Sequence, residues 1–251
     1  MNTTLTRPRT MRRQRLTVYA GLAGYVTATG AADLINPDWS PIEAMVSHYA
    51  HADAGWLIPL ALLSLATAST ALLHRIISGN EPRPTPQPAE TALLRTADGP
   101  RWTAGGPRWT AGGKAATTLL VVWIAALILG ALFPTDPYGQ WDRPPSTSGM
   151  VHGLAALLAF TSLPAAAVLF TRVWRRDPRR RPAARRLTVT AVLTVIAYLV
   201  LVLTFMDVQG SRALTFGPWE SLVGLTERLT LWSYVAWLAV AAHATSHDPR
   251  R

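Results

Sequence analysis

Apolar residues fall in six stretches along the chain: Leu16–Ile35, Ala54–Leu73, Ala115–Phe133, Val151–Phe170, Leu187–Met206 and Ser221–His243. Each is about 19 to 23 residues long, the length a helix needs to cross a bilayer core. In the central four, charged residues lie at or beyond the ends, and the runs are longer than is usual for a soluble core helix. The pattern predicts an all-α integral membrane bundle of six transmembrane helices.

The segments between the runs set the orientation. Of 24 Lys and Arg residues, all but Arg143, Arg212 and Arg228 lie in four places. These are the first tail (residues 1–15), the segment between spans two and three, the segment between spans four and five, and the last tail (244–251). Basic residues accumulate on the cytoplasmic side of membrane proteins, so the expected topology puts both termini in the cytoplasm, in a multi-pass protein of the cell (plasma) membrane. The first run ends in Gly30, Ala31 and Ala32, a possible signal-peptidase site, but it is long for a signal peptide and is read as a retained span.

Between the runs, Ser40, Pro41 and Glu43 fit a helix start. Ile42, Met45, Val46 and Tyr49 then fall on one apolar face, which predicts a short extracytoplasmic amphipathic helix on the outer boundary or capping the bundle. Residues 78–114 read as a disordered cytoplasmic linker. Alternating prolines at 82, 84, 86 and 88 favour an extended chain, and GPRWTAG occurs twice in tandem over Gly99–Gly112. Two copies are too few for a solenoid and read as slippage in a tolerant loop.

Composition agrees with a membrane solvent. Hydrophobic residues make up 49% and charged residues 15%, against about 25% charged in soluble domains. The net charge of +10 follows from topology, with basic runs interrupted by spans rather than gathered on one module, so no nucleic-acid partner is expected. The absence of cysteine excludes disulfides, thiolate metal sites and cysteine nucleophiles. No P-loop, GxSxG or HExxH signature occurs, so ATP-driven transport and the usual serine or zinc hydrolysis lack support. No cofactor is implied.

Candidate chemistry lies in the outer half. An ionisable group inside a membrane faces the bundle interior and pairs. Glu227 and Arg228 sit within the last span, and adjacent helical residues do not face each other, so both need partners on other elements. Glu220, seven residues before Glu227, is expected on the same face. Asp33 closes the first span on a stripe with Tyr25 and Thr29. His48, His51 and Asp53 form HxxHxD, which matches no standard metal motif, and no metal site is assigned. Asp136 and His152 fall at facing ends of neighbouring spans, placed for an acid/base pair or for a structural hydrogen bond.

LFPTD (Leu132–Asp136), His152 with Gly153, GLTERLTLW (Gly224–Trp232) and the Pro37–Tyr49 region resemble a six-span bacterial family known as domain of unknown function 998, frequent in actinobacteria. The resemblance covers Leu16–His243. It implies a membrane fold and carries no activity, so no catalytic role transfers. The residues themselves point to a ligand site toward the outer leaflet, lined by Asp33, Asp136, His152, Asp207, Glu227 and Arg228, for a lipid, isoprenoid or other amphipathic small molecule. Three functions fit: a lipid-binding accessory protein, a membrane-embedded hydrolase or acid-initiated isoprenoid cyclase using Asp33, Asp136, His152 or Glu227, and a small-molecule transporter. The two halves show no convincing repeat, and Pro59 and Pro164 are placed near span ends, which disfavours the transporter.

Overall fold

The computed structural model describes residues 7–79, 110–140, 143–177, 180–210, 215 and 217–245. Six α-helices dominate: α1 (Arg7–Ile35), α2 (Leu57–Gly79), α3 (Ala111–Leu132), α4 (Thr147–Arg175), α5 (Ala184–Gln209) and α6 (Val223–Ala244). Several apolar runs extend at their basic ends into further helical turns. Helix α2 runs to Gly79 and α3 starts at Ala111, so residues 78–79 and 111–114, expected in the linker, are helical. The linker's proline-rich part and the GPRWTAG repeat as far as Trp109 lie outside the described residues, and the repeat's last three residues, Thr110, Ala111 and Gly112, form the start of α3. Two N-termini are capped by side chains: Thr110 Oγ1 accepts from Gly113 N at 3.2 Å, and Ser146 Oγ accepts from Gly149 N at 3.0 Å. Each satisfies one of the donors that a helix start leaves open.

Cross-helix pairs fix an alternating up-and-down arrangement. Gln14 meets His74 while Asn36 meets Asp53, so α1 and α2 run antiparallel. Gly112 lies against Val173 and Gly130 against His152, which does the same for α3 and α4. Thr204 Oγ1 meets Thr226 Oγ1 at 2.7 Å, and Thr230 Oγ1 donates to Ala197 O at 3.0 Å, joining α5 to α6. Helix α6 then closes on α1, where Tyr19 OH donates to Ala239 O. One end of the bundle thereby collects Arg13, Arg15, Arg75, Lys114, Arg172, Arg175, Arg185 and Arg186, and among the described residues every acidic residue but Asp177 lies toward the other.

Close packing rests on small residues. A Cβ at Gly21 would come within 2.5 Å of Ser64 O and 2.9 Å of Ala68 Cβ, so only glycine admits this α1–α2 distance. Near the basic end Trp174 and Trp237 stack with ring centroids 6.5 Å apart and Phe170 beside them. Midway, the buried Trp123 indole donates to Ser69 Oγ at 2.9 Å. Pro59 sits in the first turn of α2, where a missing N–H costs nothing. Pro164 lies well inside α4 and is buried, not near an end as the run boundaries suggested, and burial within protein is the setting in which membrane helices tolerate proline.

Among the described residues, four helices are long and apolar enough to cross a membrane: Leu57–Ser78, Ala111–Leu132, Thr147–Arg175 and Ala184–Gln209. On α5, Val189, Val192, Leu193, Ile196, Leu199 and Leu203 are all about half exposed or more. A contiguous apolar face of this kind suits an apolar surrounding such as a bilayer. Helix α6 is more polar for a reason visible in its packing. Thirteen of its residues are buried against six on α5, so α6 faces protein over most of its surface and leaves Leu225, Leu229 and Trp232 exposed.

Candidate functional site

Glu227 and Arg228, one turn into α6, are both buried, at 4% and 8% exposure. Being adjacent on a helix they point apart, and each finds partners on other elements. Arg228 Nη2 pairs with Asp33 Oδ1 at 2.6 Å, and Nη1 donates to Pro41 O at 2.8 Å and Ala44 O at 2.7 Å. Its guanidinium also lies 5.3 Å from the Tyr49 ring centroid, in reach of a cation–π contact. Glu227 Oε2 accepts the Val46 N–H at 2.5 Å, and Leu225 N donates to Ile42 O at 2.9 Å. Gly224 is required for this approach, since a Cβ there would meet Ala44 O at 2.5 Å and Ile42 O at 2.9 Å. The GLTER segment is thus a clamp on the α1–α2 loop.

The clamp corrects the expected amphipathic helix. Ser40 O accepts from Ala44 N at 2.8 Å, which makes one turn, but the chain then continues as a 3-10 helix over Val46–His51. Peptide groups of residues 41–46 that an α-helix would use are taken by α6. Val46, His48 and Tyr49 are buried, so the segment caps the bundle. A second correction concerns Glu220. It precedes α6 and shares no helix face with Glu227; its backbone N–H donates to Glu43 Oε1 at 2.8 Å.

LFPTD braces the same end. Phe133 O meets His152 Nδ1 at 2.8 Å, Pro134 O accepts from Ser148 Oγ at 2.7 Å, and Thr135 O meets His51 Nε2 at 2.5 Å. Asp136 Oδ2 accepts from Ser146 N at 3.1 Å, at the start of α4, where a carboxylate complements the helix dipole. Gly149 makes room for that carboxylate, which a Cβ would strike. Asp136 and His152 are therefore each held by backbone rather than by each other. A carbonyl only accepts, so the hydrogen bond assigns the His152 proton to Nδ1. In the neutral ring Nε2 is then a lone-pair acceptor.

Beneath the cap lies a cavity of about 640 Å³, lined chiefly by apolar side chains of α2 to α6. Asp136, His152 and Glu227 line it at the acidic end. Asp33, Arg228 and Asp207 do not: the first two are spent on the clamp, and Asp207 sits half-buried in the last turn of α5. Thr29 Oγ1 bonds back to Tyr25 O within α1, while Tyr25 itself lines the cavity. Among the described residues no group of three or more His, Asp or Glu side chains is placed to hold a metal. The His48 ring lies 5.3 Å from that of Tyr138, and burial, with His152 and His51 nearby, lowers its pKa from 6.5 to about 4. The sequence reading missed Gly149 and Gly224, whose only signal was a glycine at a helix start, and the loop carbonyls, which leave no side-chain signal.

A bundle with an exposed apolar belt, buried charge pairing and an end-capped internal cavity is a multi-pass helical membrane protein. The profile of the family described as "Protein of unknown function (DUF998)" matches residues 89–244, and the chain belongs to that family. The match takes in α3 to α6 and leaves out α1, α2 and the loop between them. No curated protein and no solved structure matches the chain.

Two outcomes follow from the geometry. Arg228→Met strands Asp33 and removes the donor to two buried carbonyls, whereas Asp33→Asn keeps a hydrogen-bonding partner at 34% side-chain exposure. Arg228→Met should therefore cost about 3 kcal/mol or more of stability and Asp33→Asn clearly less, as read from unfolding of the detergent-solubilised protein. For His48, the folded pKa lies below the unfolded one. Its contribution to stability is complete above about pH 6.5 and is lost as pH falls toward 4. The unfolding temperature should drop between pH 7 and 4.5, and less steeply in His48→Asn.

Proposed function

We propose that all six helices span the cell membrane with both termini in the cytoplasm, and that the cavity holds an amphipathic small molecule (a lipid, an isoprenoid or a similar amphiphile) with its polar head at the outer end. The cavity is the observation that carries this reading. Its 640 Å³ falls in the roughly 300–1,000 Å³ range of small-molecule sites, which combine apolar walls with a few placed polar groups. Here the acidic and imidazole groups are confined to one end. The clustering of basic residues at the opposite end supports the orientation. Helix α6, with 22 residues, is about 33 Å long, enough for a hydrocarbon core of roughly 30 Å.

A membrane-embedded enzyme is the second reading. The observation favouring it is that the His152 Nε2 lone pair and the Glu227 carboxyl line one cavity, a base and an acid in a water-poor space. Turnover of a retained ligand by the wild type, lost in His152→Gln with ligand still bound, would select it.

The ligand reading is tested by mass spectrometry of the purified chain. The wild type should carry one amphiphile, and Ala156→Trp, which fills the cavity from α4, should carry none; an empty wild type would remove the proposal. The topology is tested separately. With no native cysteine, single cysteines at Asp38 and Arg175 can be labelled with an impermeant maleimide on intact cells. Asp38→Cys should react and Arg175→Cys should not; the reverse pattern would overturn the orientation.

A further inference from the structure

The helices around the cavity do not line it alike. Every residue it takes from α2, α3 and α6 is buried or half-buried, among them Ile58, Trp123, Leu127 and Leu231. From α4 and α5 it also takes Met150, Leu154, Leu157 and Met206, each more than half exposed. Gly153 lines the same part of α4, and a Cβ there would meet no atom of another helix within 4 Å. Among the described residues, exposed polar lining is confined to the acidic end: Gln140, Arg143 and Gln209.

Helices α4 and α5 lie antiparallel, joined where Thr171 Oγ1 donates to Leu187 O at 3.4 Å and where Thr161 Oγ1 meets the Tyr198 hydroxyl at 3.0 Å. The cavity lining begins at that second contact. On α5 it starts at Tyr198, and on α4 it reaches Phe160, next to Thr161. From Thr161 to Met150 and from Tyr198 to Gln209 each helix runs eleven residues, about 16 Å at roughly 1.5 Å per residue. Thr161 and Tyr198 lie near the middles of their helices. The slot between α4 and α5 therefore has the depth of one leaflet, half of a hydrocarbon core of roughly 30 Å. Leu154 and Leu157 line one side of it, Val202 and Phe205 the other.

Resting on the ligand and orientation readings above, we infer that the cavity opens sideways between α4 and α5. It takes one chain of a two-chain lipid of the outer leaflet, whose head stays at the rim beside Arg143 and Gln209. An apolar slot facing hydrocarbon is not left empty, because a void forfeits dispersion contacts along its walls and water finds too few polar partners there. A chain of the surrounding leaflet fills the slot by exchanging one apolar neighbour for another. The lipid never has to leave the bilayer, and its head remains at the depth where the exposed polar lining residues sit.

The test uses the full chain in phosphatidylcholine nanodiscs and two photoactivatable probes. One is a phosphatidylcholine with a diazirine near the end of one acyl chain, the other octanol with a diazirine near its methyl end. Labelled residues are read by mass spectrometry of the peptides. The phosphatidylcholine should label the buried lining residues Trp123, Leu127 and Leu231, together with Ile196 and Leu199 on the exposed face of α5. Interior labelling by octanol alone, with the phospholipid confined to Ile196 and Leu199, would overturn the inference and leave the ligand reading in place. Interior labelling by neither probe would overturn both. Leu157→Trp narrows the slot and should lower interior labelling by the phospholipid about tenfold relative to octanol, in line with the cost of overpacking. An unchanged ratio would overturn the α4–α5 route. Val202→Trp, on the other side of the slot, gives the same reading should Leu157→Trp fail to accumulate.

Discussion

Two charges of opposite sign, adjacent on a buried helix, cannot neutralise each other, because successive side chains point in different directions. That constraint organises the acidic end of this bundle. Glu227 and Arg228 must recruit partners from the rest of the chain, and a buried charge left without one costs several kcal/mol. The partners recruited are the end of α1, through Asp33, and the backbone of residues 41–46. One helical dipeptide therefore fixes how α1 ends, how the loop folds and what closes the cavity.

A similar economy holds on the other side of the cavity. The LFPTD segment leaves helix α3 with carbonyls that no longer have helical partners, and three consecutive ones are met by side chains: His152, Ser148 and His51. A loop buried at the end of a bundle must account for each of its peptide groups. Here α4 and the 3-10 helix supply the accounting, and His152 acquires its tautomer as a result.

The architecture was largely legible in the chain. Run length and apolarity placed six helices, because a hydrocarbon solvent leaves the backbone few alternatives to a helix, and the helix ends moved by nine residues at the start of α1 and by six or fewer elsewhere. The basic clustering likewise reappears at one end of the bundle. The site was legible in part. That Glu227 and Arg228 need outside partners follows from helical geometry alone, but which partners they find depends on three-dimensional approach. Ser40, Pro41 and Glu43 carried good helix-start chemistry, and local propensity lost to hydrogen bonds from a helix about 180 residues away in sequence. The six residues expected to share one site came apart, since a residue list has no inside or outside: Asp136, His152 and Glu227 line the cavity, Asp33 and Arg228 stand behind its wall, and Asp207 lies apart in the last turn of α5.

The family match begins at residue 89, yet the groups that Arg228 grips, Asp33 and the carbonyls of Pro41 and Ala44, all precede it. A boundary drawn by sequence similarity therefore cuts through an ion pair. In this chain the matched stretch is smaller than the body that folds together. Arg228, inside the matched stretch, has its acceptor cradle outside it. Backbone carbonyls suit such a cradle, because every sequence carries them.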